Sequence, residues 1–176
     1  MTQYSKRMVI VHWLTLLLVI AAWYLGDALG DATDESKATL GAYVIHMSVG
    51  AAILLLTIAR LFFRSRKEAP PLLEDKRIFQ IAATGTHHAL YTVLVLLPLS
   101  GMATVITSSV GRALLAGDAS LLPKEHGFRG VFAHEVHETL VNVLIALVVV
   151  HILGALKHQF IDKDGLMERM MLRKKD

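Results

Sequence analysis

Residues 131–156 read VFAHEVHETLVNVLIALVVVHILGAL, an apolar segment that carries histidines towards both of its ends. A helix of about 20 predominantly apolar residues is long enough to cross the hydrocarbon core of a bilayer. Three further runs of this kind precede it, at about residues 8–26, 40–63 and 86–106. The four segments therefore predict an all-α integral membrane protein built from four spanning helices.

Composition supports a single membrane domain over residues 1–176. Hydrophobic residues make up 54% of the chain, its mean hydropathy is +0.51, and its length suits one domain. Cysteine is absent, which excludes disulfides, thiolate-bound iron–sulfur clusters and covalent haem attachment through C-x-x-C-H. The first run follows Lys6 and Arg7 as a signal peptide would. It is too long for one and has no convincing small-residue cleavage site before Trp23, so we interpret it as a retained helix.

The distribution of lysine and arginine predicts the orientation in the membrane. With the N-terminus in the cytoplasm, fourteen of these residues fall on the cytoplasmic side. The other side receives only four: Lys37, Arg112, Lys124 and Arg129. Cytoplasmic loops carry the excess of positive charge in membrane proteins, so we expect an up-down-up-down bundle with both termini cytoplasmic. Anionic lipid headgroups explain the basic tail more simply than nucleic acid does.

The links between the runs differ in character. Residues Gly26–Thr39 form an acidic outer loop, and residues Arg64–Gln80 an inner loop in which we expect a short interfacial helix around Ile78–Ala83. The longest link, Thr107–Gly130, is long enough that it should fold over the mouth of the bundle. Pro98 should kink the third helix near its middle.

Two histidines of the fourth run lie on one face of its helix. His137 and His151 are fourteen residues apart, which is four turns to within roughly 40° and an axial separation of about 21 Å. A single metal centre cannot use ligands so far apart, whereas two cofactors stacked across the membrane could. His12 lies level with His151, and His46 lies level with His137. The depths therefore predict two pairs of histidines, each joining two helices.

Paired histidines inside a membrane favour haem. Ionisable groups are costly at this depth and are functional candidates by default. Neutral imidazole binds haem iron axially, and a site with two axial histidines leaves no open position for oxygen, which favours electron transfer. Gly50 and Gly154, one turn beyond His46 and His151, would give room for a flat macrocycle, although ordinary small-residue helix packing explains them equally well.

Other metal sites fit the sequence less well. The segment from His134 to Glu138 resembles a zinc-protease helix, but H-E-x-x-H requires a histidine where Glu138 stands. A metal transporter would gather its ligands near the midplane, and no Met or Cys cluster supports copper.

The remaining histidines lie near the predicted membrane surfaces. Three are on the inner side, with Arg60 near them: His87, His88 and His158. Protonatable groups there suit proton delivery to a quinone, with interfacial snorkelling as the alternative. Two are on the outer side and read as surface histidines: His126 and His134.

Short motifs surround these histidines in order along nearly the whole chain: Val11-His12-Trp13, Ile45-His46-Met47-Ser48-Val49-Gly50, Leu97-Pro98-Leu99-Ser100-Gly101, Val136-His137-Glu138-Thr139-Leu140-Val141-Asn142, Leu156-Lys157-His158 and Arg169-Met170-Met171. This set resembles the bacterial cytochrome b561 family. The resemblance implies a location in the bacterial inner membrane and two b haems. His12 and His151 would bind the inner haem, and His46 and His137 the outer one, which agrees with the pairing by depth.

The resemblance also implies an activity. Members described as superoxide oxidases take electrons from superoxide on the periplasmic side and reduce ubiquinone with protons from the cytoplasm. His87, eleven residues before Pro98, and His158 would serve the quinone and its protons, with His88 exchangeable for His87. We therefore expect a superoxide:ubiquinone oxidoreductase in contact with membrane lipid. The alternatives are a general quinone-linked cytochrome b with a redox partner protein, and a membrane anchor for a partner enzyme.

The electrostatics of the outer side are mixed. A positive funnel would raise the encounter rate with the superoxide anion, and the longest loop offers cationic or protonatable side chains for one: Arg112, Lys124, His126 and Arg129. The first outer loop carries mostly acids, which weakens the funnel unless that loop folds aside.

Overall fold

The computed structural model describes residues 3–30, 39–66, 77–123 and 128–172. These residues form five α-helices: α1 (Lys6–Gly30), α2 (Leu40–Ser65), α3 (Arg77–Thr107), α4 (Ser109–Ala116) and α5 (Phe132–Lys157). Shorter helical turns cover Ala119–Leu121, His158–Asp162 and Met167–Met170. Helices α1, α2, α3 and α5 are long and apolar enough to cross a membrane. Every regular element in the described residues is helical, which confirms the predicted all-α membrane bundle.

The third spanning helix begins earlier than the sequence indicated. We expected a short interfacial helix around Ile78–Ala83. These residues are helical, but they form the first turns of the long helix α3 and not a short helix in the inner link. The segment Thr84-Gly85-Thr86 limits the apolar run without ending the helix. Pro98 lies inside α3, and the kink expected there stays a prediction. The inner link's residues 67–76 lie outside the described part of the chain.

The spanning helices form two packed pairs. Helix α1 packs chiefly against α2, and α3 against α5, while a smaller contact between α2 and α3 joins the pairs. Helices α1 and α5 barely touch. The start of α1 and the end of α5 lie at one end of the bundle, which we call the terminal end. The start of α2 and the start of α5 lie at the other, the loop end.

The loop end is closed by a small hydrophobic cluster. Its buried members come from α2, α4 and the segment after α4: Tyr43, Val110, Ala113 and Leu122. Partly buried apolar residues from α1, α3 and the turn before α5 pack against it, among them Leu29, Val105 and Phe128. The described part of residues 107–130 therefore folds over the helix ends, as its length predicted. Lys124 and His126 lie outside the described residues.

The C-terminal segment closes the terminal end. The indole Nε1 of Trp13 donates to the carbonyl of Met170 at 2.9 Å, and the backbone N–H of Tyr4 donates to the carbonyl of Arg169 at 3.3 Å. Met8, which lies between Tyr4 and Trp13 in the first turn of α1, is 1% exposed. Residues 167–170 thus hold the start of α1, including His12, near the end of α5.

Candidate cofactor site

Four of the predicted histidines meet in two pairs. His46 of α2 faces His137 of α5 at the loop end, with ring centroids 6.3 Å apart and ring planes inclined by 75°. His12 of α1 faces His151 of α5 at the terminal end, with centroids 6.2 Å apart and planes inclined by 72°. Both pairs bridge the two helix pairs of the bundle. The structure therefore brings together the partners that depth along the helices predicted.

The spacing within each pair suits one metal ion between two imidazoles. An imidazole nitrogen binds a metal at about 2 Å and the ring centre lies about 1 Å further away, so two opposed rings have centroids about 6 Å apart. Both pairs meet this condition. A third ring, that of His87 on α3, lies closer to His151, at 5.4 Å between centroids. The distance from His151 to His12 is therefore closer to that expected for two ligands of one metal ion than the distance from His151 to His87 is.

The ring of His137 is oriented by α3. Its Nδ1 lies 3.0 Å from the backbone carbonyl oxygen of Leu97 and 3.0 Å from the hydroxyl of Ser100. The carbonyl can only accept, so Nδ1 carries the proton. The proton on Nδ1 leaves Nε2 free, and a hydrogen bond of this kind fixes the tautomer of metal-binding histidines. The segment around Pro98 thus presents His137 in the form that binds a metal.

Two glycines allow helices to approach the loop-end rings closely. A Cβ atom on Gly26 would lie 3.1 Å from Cε1 of His46, and one on Gly101 would lie 3.1 Å from Cε1 of His137. Each distance is shorter than ordinary van der Waals contact, so a larger residue would displace the ring. No pattern in the sequence separates Gly26 from the other glycines, because its contact joins two helices.

The two glycines that were predicted to give room for a macrocycle, Gly50 and Gly154, have a different environment. A Cβ atom on Gly50 or Gly154 would meet no described atom within 4 Å. Close packing against a neighbouring helix therefore does not account for them, and the space beside both residues is open. The paired rings and the fixed tautomer of His137 fit a non-covalently held haem, whereas the open space at Gly50 and Gly154 is shared by Gly85 and does not single out a haem-binding face.

The terminal end distinguishes His87 from His88. His87 lies in the cluster with His151, whereas the exposed side chain of His88 bonds through Nδ1 to the carbonyl of Thr84 on its own helix at 2.9 Å. Of the two, only His87 faces the paired histidines.

Arginines of α2 also reach this cluster. A guanidinium nitrogen of Arg60 donates to Nδ1 of His12. The guanidinium carbons of Arg60 and Arg64 lie 5.8 Å and 5.9 Å from the centre of the Tyr91 ring. The sequence placed Arg60 only near the inner surface. Its signal was available, since an arginine inside an apolar run is a functional candidate.

His158 belongs to an ionic cluster beyond α5. Its Nδ1 lies 2.6 Å from Oδ2 of Asp164 and 3.4 Å from Oδ2 of Asp162, and the side chain is 15% exposed. Burial opposes ionisation of Asp164, but hydrogen bonds from His158 and the Leu166 backbone outweigh it and hold the pKa of this carboxyl below its usual range. The three side chains could surround a cation. The ammonium group of Lys157 is already a cation at this place, with its Nζ 2.5 Å from Oδ2 of Asp162.

His134 is accounted for by its neighbours at the loop end. Its ring stacks on Phe128 with centroids 4.2 Å apart, and its Nε2 lies 3.3 Å from Oε1 of Glu138. The glutamate that breaks the zinc-protease pattern is thus a contact partner of His134.

Comparison with known proteins gives one consistent family. A sequence model described as prokaryotic cytochrome b561 matches residues 3–172. The protein named cytochrome b561 homolog 1 of Escherichia coli K12 is 28% identical, with 99% of this chain and all of that protein aligned. The probable superoxide oxidase CybB of Yersinia pestis is 30% identical, with 98% of each chain aligned. Cytochrome b562 of Cereibacter sphaeroides is 29% identical, with 96% of this chain and 94% of that protein aligned.

Proposed function

The chain belongs to the prokaryotic cytochrome b561 family, and on that premise we propose that it is a di-haem membrane oxidoreductase that oxidises superoxide and reduces ubiquinone. Family membership makes it a membrane protein of haem-b electron transfer. The number of haems, their ligands, the two substrates and the orientation are the content of the proposal.

The proposed ligands are the two opposed histidine pairs. His46 and His137 hold the loop-end haem, and His12 and His151 the terminal-end haem. The observation that carries this assignment is the equal spacing of the pairs, with centroids 6.3 Å and 6.2 Å apart. Bound haems would supply one-electron redox chemistry.

Groups of the protein itself would restrict the chemistry of the haems to electron transfer. The four paired histidines would hold the haem irons, and iron held by two histidines would supply electron transfer and not oxygen binding. The carbonyl of Leu97 holds the proton of His137 on Nδ1, which keeps Nε2 available as a ligand. The apolar spans place both pairs at membrane depth, where little water would reach them.

We place ubiquinone at the terminal end, in the cytoplasmic half of the membrane. The excess of lysine and arginine on this side supports the orientation. His158 would deliver protons to the quinone, and Asp164, which accepts its N–H at 2.6 Å, would orient its ring. His87, beside His151, is the second candidate on this side.

We place superoxide at the loop end, on the periplasmic side. The name of the Yersinia pestis relative supports this substrate. Arg112 and Arg129 are exposed at this end and would attract an anion. Relatives named only as cytochromes favour the alternative of a quinone-linked cytochrome b with another electron donor.

Haem stoichiometry and superoxide reduction test this proposal. We expect two haems b per purified chain, and a value of one or none would overturn the ligand assignment. Superoxide generated in solution should reduce the haems rapidly, and superoxide dismutase should abolish that reduction. Ubiquinone should then reoxidise them. If superoxide leaves the haems oxidised while quinol reduces them, the alternative cytochrome b replaces the oxidase.

A further inference from the structure

We propose that Arg60 and Arg64 of α2 bind the propionate carboxylates of the terminal-end haem, with Tyr91 of α3 as the ring on which both guanidinium groups rest. The inference rests on the proposed function, because it assumes that His12 and His151 hold a haem. It assigns a binding site for the anionic edge of that haem.

Both arginines lie in the spanning helix without a described counter-charge. No described carboxylate pairs with either side chain. The contacts of Arg60 are with His12 and Tyr91, and its Nε is buried without a hydrogen-bond partner. A buried cation in a membrane is costly unless it is paired. A bound anion beside Arg60 would therefore offset the cost of its charge.

The contact with His12 cannot persist when this histidine binds iron. Arg60 donates to Nδ1 of His12, so in this arrangement Nδ1 is unprotonated and the proton is on Nε2. Binding iron through Nε2 requires the proton to move to Nδ1, and binding through Nδ1 replaces the arginine with the metal. In either case Arg60 loses its acceptor and needs another one close by. The haem bound by His12 would itself bring carboxylates to this place.

The arginine pair has the geometry for such anions. Arg60 and Arg64 are four residues apart in α2 and so lie on the same face one turn apart. Both guanidinium groups lie just under 6 Å from the centre of the Tyr91 ring, a position in which arginine is attracted to the ring face. A planar guanidinium pairs with a carboxylate through two parallel hydrogen bonds. Two adjacent arginines thus match the propionate pair of one haem.

The proposal predicts a selective effect on the terminal-end haem. Arg60→Gln should weaken retention of this haem about tenfold or more and make its midpoint potential more negative, because an unpaired propionate charge favours the ferric state. Arg60→Lys should restore part of both. Arg64→Gln should act in the same direction, and the double variant more strongly. The loop-end haem serves as an internal reference that should not change.

Arg66→Gln is the matched control. Arg66 lies next to the end of the same helix, and its guanidinium lies 5.0 Å from the centre of the Phe62 ring. Full-length variants in detergent and in vesicles of anionic or zwitterionic lipid are compared by haem content, redox titration and helical circular dichroism. The control should match the wild type in all three.

Several results would overturn the inference. If the wild type holds two haems and Arg60→Gln matches Arg66→Gln in retention and potential, the propionate site is wrong while the proposed function stands. Equal shifts of both haems would indicate general destabilisation instead. An effect seen only in anionic vesicles would assign the arginines to lipid phosphate. A wild type without the terminal-end haem would refute the proposed function itself.

Discussion

Substituting Gly101 by alanine should loosen the loop-end haem while leaving the terminal-end haem in place. The added Cβ would lie 3.1 Å from Cε1 and 3.3 Å from Nδ1 of His137, so the ring must move by a few tenths of an ångström. The carbonyl of Leu97 holds the ring through Nδ1 at 3.0 Å, and that bond must lengthen or break.

Two terms set the size of the effect. A side chain forced about 30° off its rotamer costs about 0.5–1.5 kcal/mol, and a hydrogen bond contributes about 0.5–1.5 kcal/mol. Their sum, about 1–3 kcal/mol, corresponds to roughly 5- to 150-fold weaker binding of the loop-end haem. Alanine also stabilises a helix by about 1 kcal/mol relative to glycine. This gain offsets part of the cost to the fold, so haem retention should fall by more than fold stability does.

Gly85→Ala is the control for this experiment. Gly85 lies in the same helix, and a Cβ there meets no described atom within 4 Å, so it gains the helix propensity without the contact. Haem content per chain and the potential of each haem are measured for both variants in parallel. If Gly101→Ala binds the loop-end haem as tightly as Gly85→Ala does, the ring of His137 is not held in the way described and the argument fails.

Two further changes test the separate ends of the bundle. His137→Ala should lose the loop-end haem and retain at least part of the terminal-end haem, as counted by the pyridine haemochrome assay; retention of both would show that the pairing is wrong. Asp164→Asn should keep the haem content and slow quinone reduction, as His158→Ala should. The lowered pKa of Asp164 means that in the wild type its contact with His158 is intact above about pH 4 and is lost as the pH falls through that lowered pKa. Stopped-flow rates of quinone reduction, measured as the pH is lowered, should show this decline in the wild type and none in Asp164→Asn. If both Asp164→Asn and His158→Ala reduce quinone at the wild-type rate at neutral pH, His158 has only a surface role.

The paired histidines could be predicted because helical geometry carries depth information. Fourteen residues between His137 and His151 fix a common face and an axial distance, and alternating spans fix the levels of His12 and His46. No tertiary knowledge was needed for these two pairs. The choice between His87 and His88 was different. Adjacent residues on a helix differ by about 100°, so only the packing of α3 could decide which one faces the bundle.

Contacts between helices were the part that the sequence could not supply. Gly101 was noted beside Pro98, yet its contact with His137 depends on how α3 packs against α5. The same holds for Gly26 and His46. Arg60 carried a visible signal as a cation inside an apolar run, but its contact with His12 requires α1 and α2 to be in register. The helix start at Arg77 was missed because hydropathy marks the apolar run and not the hydrogen-bonded helix.

The polar groups of the spans divide into two classes by where their partners lie. Several hydroxyl groups bond to carbonyls of their own helix, as Thr15 does to Val11 at 2.6 Å and Thr57 to Ile53 at 2.8 Å. Polar groups inside a membrane must find hydrogen-bond partners within the protein, and these hydroxyl groups find them without a second helix. His88 does the same through its bond to Thr84.

His137 and Arg60 belong to the second class, because their partners lie on other helices. A charged or titratable side chain that needs a partner on another helix is a costly way to stabilise the fold, because an apolar side chain or one satisfied within its own helix would avoid that cost. Its cost in the membrane is explained when that group also binds something the protein must hold. By this criterion Arg60 stands with the four paired histidines, although hydropathy, spacing and depth had singled out only the histidines.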